Sequence, residues 1–318
     1  MACTMFTATF SASQEITRTF DIIWAIEAGL WNLRVAAKKF FEENPNADKK
    51  TAKEFLVKGL NVHGLNAKRI ANELTWEYEE QYVAELLLTY GIGIFDSWVD
   101  GIVDTVLIHS SNNLKKKIKE DLKKGEFQTF ESALSQEPLS ALAGCFHVSP
   151  KRQDQHIDNL RLVYKYFKSC RNCCAHGNHQ FTAICEANYN AIKTLTKEDC
   201  GINEFPKMVE TKAGDPVKLI LRGVVGFFDV LIKIINHYDI VASDKIAVEN
   251  ELLTRWSSIP YEPIAADVKG RISITRYEKK RNHSIRYHLK VVNMYAPYVS
   301  KTDQVYIFLR DNGLMTIE

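Results

Sequence analysis

The sequence predicts a mainly α-helical protein: a helical bundle followed by a small C-terminal α+β segment containing a β-hairpin. Three observations carry this. Apolar residues recur at helical spacing through most of the chain, and two apolar runs, 81–109 and 217–237, are too long to be strands. Strand-like alternation is confined to the stretch beyond Trp256. With 318 residues, 46% hydrophobic and 25% charged, there is length for one large or two medium domains.

From residue 15 to 43 the series Ile16, Phe20, Ile23, Trp24, Leu30, Trp31 and Val35 predicts the first helix, which Asn44-Pro45-Asn46 breaks. A second helix is expected over 50–60 and a third over 66–78. Residues 81–109 predict a long apolar helix in which Gly91, Gly93 and Gly101 permit close packing or a bend. A lysine-rich helix over 114–124 stops at Gly125, and a loop with Pro138 and Pro150 leads to a helix opening near Asp154. Residues 181–194 read as helical. An extended loop or short hairpin over 207–211 turns at Ala213-Gly214-Asp215, and Asp215-Pro216 is expected to start the helix over 217–237. In the tail, 271–277 and 284–291 alternate apolar and polar residues, with 279–282 between them, which predicts the hairpin. Ser300-Lys301-Thr302-Asp303 opens a last helix, and Asn312-Gly313 closes it. The expected organisation is an N-terminal helical region (1–75), a helical bundle (76–255) and a small α+β region (256–318).

A net charge of +2 excludes a uniformly basic coat, so any nucleic-acid surface must be local. The cysteine number is odd, seven, and Cys170, Cys173 and Cys174 crowd together behind an opening segment that lacks the features of a signal peptide. Free thiols and a cytoplasmic setting are the expectation. The most apolar run, 86–95, is flanked by Glu85 and Asp96, so no membrane span is expected.

The densest chemistry lies in Arg171-Asn172-Cys173-Cys174-Ala175-His176-Gly177, at the end of the apolar approach 160–168. Arginine carries a permanent charge and a planar fork of donors that matches phosphate oxygens. Histidine can give or take a proton near neutral pH, and asparagine can orient either partner. RNA supplies its own nucleophile, the 2′-hydroxyl, so such a site needs charge stabilisation and proton transfer but no cofactor or metal. Arg171 is the candidate phosphate clamp, Asn172 the orienting amide and His176 the general acid/base. Five residues at about 100° each place Arg171 and His176 about 140° apart on a regular helix. They converge on one phosphate only if His176 lies at a frayed helix end, or if two copies of the motif face each other.

This stretch resembles the catalytic motif of HEPN (higher eukaryotes and prokaryotes nucleotide-binding) domains: an arginine, a polar residue, and a histidine after four to six intervening positions. Arg171, Asn172 and His176 fill those places within a helical context of residues 78–245. The resemblance implies a homodimeric helical bundle with two motifs lining one cleft at the interface. It also implies a metal-independent endoribonuclease that leaves a 2′,3′-cyclic phosphate. Its implied setting is a toxin or antiphage abortive-infection effector, with an antitoxin or defence-system partner protein. The alternative is a catalytically inactive helical module that binds a nucleotide or a partner. A third reading is a nucleic-acid-binding regulator working through the C-terminal region.

Several other constellations compete. Cys170, Cys173, Cys174, His176, His179 and Cys185 contain zinc-ligand types, but a second well-spaced pair is missing. Asp96, Asp100 and Asp104 form an i, i+4, i+8 stripe, with Asp100 the candidate to orient the motif from a neighbouring helix. The lysines of 115–124 read as a solvated face. Arg276, Lys280, Arg281 and Arg286 lie in a basic tail segment interleaved with Tyr277, Tyr287 and His288, a candidate RNA-backbone surface. Arg281, Asn282 and His288 also match the loose motif, and the expected hairpin sets them aside.

Overall fold

The computed structural model describes residues 3–146, 155–176, 179–259, 272–274 and 278–317. The fold is mainly helical. Helix α1 (Thr7–Glu43) starts earlier than its apolar periodicity suggests, because its first turn is held by acids from distant elements. Asp239 accepts from the backbone N–H groups of Met5 (2.7 Å) and Phe6 (3.0 Å), and Glu251 accepts from that of Thr7 (2.6 Å). Arg255 donates to Glu251 at 2.7 Å and to the Asn293 carbonyl at 3.1 Å. These bonds satisfy donors that every helix start leaves orphaned. They bring Met5, Phe6, Ala12 and Ile16 into the main core.

The far end of α1 builds a second, smaller core. Ala37, Phe40 and Phe41 pack there with Ala52 of α2 (Lys49–Leu56) and Ala67 and Ala71 of α3 (Ala67–Asn72). Buried Arg34 ties this end down, donating to the Ile70 carbonyl at 3.1 Å and pairing with Glu79 at 3.3 Å.

Helix α4 (Trp76–Val106) runs through the middle of the bundle, capped by Thr75, whose hydroxyl accepts from the Tyr78 N–H. Among the described residues it alone is long and apolar enough to cross a bilayer, and 56% of its most apolar window is buried within the protein. Its glycines differ in purpose. A Cβ on Gly91 would stand 2.8 Å from the Phe228 ring and one on Gly101 would stand 3.0 Å from Ala8, whereas Gly93 faces open space.

Helix α5 (Asn112–Lys124) buries Ile118 and Leu122 and ends at Gly125 with φ 84°. The stretch expected to be loop contains α6 (Gln128–Gln136), anchored by Phe130 and Leu134. Beyond it come α7 (Ile157–His176), α8 (Ala183–Ile192) and the single turn α9 (Lys197–Cys200).

Asp215-Pro216 does not open the next helix. Pro216 bridges Gln180, and 217–220 stays extended before α10 (Leu221–Val241). Gln81 explains the delay: it donates to the Val217 carbonyl at 3.1 Å and accepts from the Leu219 N–H at 2.6 Å, satisfying the extended backbone. Helix α11 (Ala247–Ser257) follows.

The expected C-terminal hairpin is corrected. Residues 284–291, expected as its second strand, lie within α12 (Glu278–Val291). Strand β1 (Ile272–Ile274) pairs in parallel with β2 (Met315–Ile317), which follows α13 (Thr302–Asp311). The reason is a shared period. Buried Ile285 and Leu289 are four apart, which satisfies both strand alternation and a helical face. Tyr287 and Val291, which a strand would place beside them, are 60% and 49% exposed.

Candidate functional site

Helix α7 carries the motif with one face in the core. Leu160, Val163, Tyr164, Phe167, Cys170 and Cys173 are buried at helical spacing. Phe167 stacks on Phe227 of α10 with centroids 4.6 Å apart, and Tyr164 packs on Phe95 of α4 at 4.5 Å. These contacts fix the rotation of α7 and therefore which residues face outward.

The three motif residues differ in how far they face outward. Arg171 is half-buried, and its Nη1 donates to Asn172 Oδ1 at 3.3 Å. Its Nε is buried without a hydrogen-bond partner among the described residues. Asn172 and His176 are exposed. One turn before Arg171, Lys168 Nζ lies 3.4 Å from Asp96 of α4. Burial lowers the Lys168 pKa, Asp96 pulls it back up, and the neighbouring Arg171 lowers it again. Lys168 and Arg171 are thus like-charged neighbours, with Asp96 balancing the lysine.

Helix α7 remains helical through His176, so fraying does not bring His176 round to Arg171. On a regular helix the two stay about 140° apart. Gly177, the expected stop, lies outside the described residues. Asp100 does not reach the motif: both its oxygens accept from Lys123 Nζ at 2.8 Å, and Asp104 pairs with Lys119 at 2.7 Å. Asp100 and Asp104 thus form an ion-paired seam to α5. Asp96 is the acid facing α7.

The sulfur-rich set divides. Cys170 and Cys185 approach with sulfurs 3.6 Å apart between α7 and α8, and Cys173 points to Thr182 Oγ1 at 3.8 Å. Burial raises the Cys170 thiol, and hydrogen bonding to Cys170 lowers that of Cys185. Cys174 and His179 turn away from this cluster toward Glu85 of α4, a residue that enters the sequence reading only as a flank. Burial and the Glu85 charge push the Cys174 thiol up to about 12, so Cys174 is not an activated nucleophile.

At the C-terminal end, Arg276 lies outside the described residues and Lys280 falls within α12. Arg281 is engaged internally, paired with Asp303 and stacked over Tyr306 at 4.2 Å. His288 Nδ1 lies 2.8 Å from the Ser284 carbonyl. The second motif match is therefore helical after all, but its arginine and histidine are both committed to packing. Arg286, with Lys279, Asn282, His283 and Val299, lines a concavity of about 570 Å³.

No protein-family model, curated protein or solved structure matches this chain.

Proposed function

We propose that the protein is a metal-independent endoribonuclease of the HEPN type, acting as a homodimer in the cytoplasm. The observation that carries this reading is the Arg171-Asn172…His176 arrangement. These residues present a half-buried guanidinium bonded to an exposed amide, and an exposed imidazole about 140° further round a helix whose inner face is fixed in the core.

In the proposed reaction the RNA 2′-oxygen attacks the adjacent phosphorus. A new O–P bond forms as the bond to the 5′-oxygen breaks, which leaves a 2′,3′-cyclic phosphate and a free 5′-hydroxyl. His176 takes the 2′-hydroxyl proton as a neutral imidazole and, in the protonated form this leaves, delivers one to the departing oxygen. Arg171 spans the non-bridging oxygens where negative charge develops, with Asn172 holding its guanidinium. The angular separation of Arg171 and His176 favours two copies contributing to one cleft. Arg286, at the concavity beside α12, supplies further attraction for an RNA backbone. A growth-arresting toxin or phage-defence effector, held in check by an antitoxin or defence partner, is the biological role that fits this chemistry.

The test is cleavage of total RNA by the full chain without added divalent ions, with mapping of the terminal groups. Cyclic phosphate ends, lost in His176→Ala while the dimer persists, are the expected result. Equal cleavage by wild type and His176→Ala overturns the enzyme reading and leaves a silent binding module.

A further inference from the structure

Glu85 from α4, Cys174 from the last turn of α7 and His179 from the loop beyond it bring their ligand-capable atoms within 4.8 Å of one another. In a tetrahedral zinc site with bonds of about 2.0–2.3 Å, ligand atoms stand about 3.3–3.8 Å apart. His179 Nδ1 and Glu85 Oε1, 3.6 Å apart, already have that spacing. The remaining gap is within reach of small side-chain rotations.

Two independent features show that this convergence is built in. His179 has φ 58°, the left-handed region that a residue with a Cβ seldom adopts. Its backbone is pinned on both sides: its N–H donates to the Cys173 carbonyl at 3.3 Å and its carbonyl accepts from the Val217 N–H at 2.8 Å. His179 is thus pinned in a costly backbone conformation with its Nδ1 3.6 Å from Glu85 Oε1. The second feature is Glu85 itself. Its side chain is only 16% exposed, and among the described residues its one ionic partner is the His179 imidazole. Gln81 donates to its Oε1 at 2.8 Å and fixes the carboxylate's orientation, as outer partners of metal ligands do. A half-buried carboxylate without a lysine or arginine among the described residues, beside a thiol and an imidazole, suits a bound cation.

We propose that Glu85, Cys174 and His179 bind one zinc ion that staples the end of α7 and His179 to α4. A thiolate, an imidazole and a carboxylate together suit a borderline-soft ion and disfavour magnesium or calcium. Loading forms three protein–zinc bonds, releases the Cys174 proton to solvent and leaves water in the fourth position. No electron is transferred. His176 is not a ligand, so the site stands apart from the motif, and the inference does not depend on the ribonuclease reading.

The experiment uses the full-length untagged chain, purified under reducing conditions, in wild-type and His176→Ala forms. Zinc is counted by elemental analysis, and cobalt is then substituted for it. One zinc per chain is expected in both forms, with a near-ultraviolet thiolate-to-cobalt band. Cys174→Ser should abolish the band, and Glu85→Gln and His179→Ala should each weaken zinc binding at least ten-fold. Circular dichroism checks that the variants are folded. Wild-type protein that is folded but takes up no stoichiometric zinc and shows no thiolate band overturns the proposal. So does a band that survives Cys174→Ser but vanishes in Cys185→Ser, which places the ion in the other thiol cluster. Cyclic-phosphate production is scored separately, so loss of the zinc site and loss of the nuclease reading are distinguished.

Discussion

The ammonium of Lys168 lies 3.4 Å from the carboxylate of Asp96, joining the motif helix to the central helix one turn before Arg171. Lys168 is 14% exposed and its other charged neighbours, Arg171 and Lys123, carry the same sign, so Asp96 is what balances this corner of the bundle. Asp96→Ala should therefore lower stability by about 1–3 kcal/mol, the cost of leaving a half-buried charge unpaired. Thermal denaturation measures this, and an unchanged midpoint would show that the pair is neutral.

Arg171 and His176 point to different sides of a helix that stays regular through His176. If two copies complete one cleft, Arg171→Ala and His176→Ala chains should each be inactive alone. Mixed as heterodimers they regain activity, because one cleft receives an intact arginine from one chain and an intact histidine from the other. Mixtures no more active than either parent would confine the site to a single chain.

The basic residues of α12 should separate into two kinds. Arg281 is locked to Asp303 and Tyr306, so Arg281→Ala is expected to cost stability. Arg286 lines an open concavity, so Arg286→Ala should weaken RNA binding. Its salt dependence should flatten by about 0.7 in logarithmic slope for each phosphate that Arg286 no longer neutralises. Anisotropy titrations across a salt series distinguish the two, and identical slopes for wild type and Arg286→Ala would remove α12 from the RNA path.

Two glycines should respond to alanine with opposite signs. A Cβ at Gly223 would lie 1.9 Å from the Lys207 carbonyl oxygen, a backbone atom that cannot swing away. Gly223→Ala should cost about 2–3 kcal/mol through forced backbone movement. At Gly93 a Cβ meets nothing within 4 Å, so Gly93→Ala should stabilise by about 0.5–1 kcal/mol through helix propensity. Chemical denaturation of both variants compares them directly.

Asp239 ties the start of α1 to α10, and burial pushes its pKa from 3.8 up to about 6, against the pull of the Met5 and Phe6 N–H groups. The folded state thus holds the proton more tightly than the unfolded chain. Its contribution is complete below the unfolded value of 3.8 and is lost as pH rises through about 6. The amount is about 3 kcal/mol. Asp239→Asn should remove that part of the pH dependence. Urea midpoints that run parallel for wild type and variant across this range would contradict it.

The helical class, the long helix α4 and the motif's place on α7 were legible in the sequence, since burial on one face imposes a period that local spacing records. The lysine helix and its stop at Gly125 were legible for the same reason, with the glycine meeting a left-handed turn. The tail was not. Ile285 and Leu289 serve either period, and the partner of β1 lies beyond two further helices at 315–317. The stripe Asp96, Asp100, Asp104 was visible as a stripe, but spacing along one helix does not say which neighbour supplies each lysine. Asp96 meets α7, whereas Asp100 and Asp104 meet α5.

By itself, then, the sequence determined which faces are apolar and where arginine, asparagine and histidine crowd together, because those are properties of single elements. Only the tertiary structure decided that Arg171 and His176 stay apart, that Asp100 belongs to Lys123, and that Glu85 meets Cys174 and His179. Such meetings depend on how helices far apart in sequence rotate and dock, and packing of the core sets that rotation.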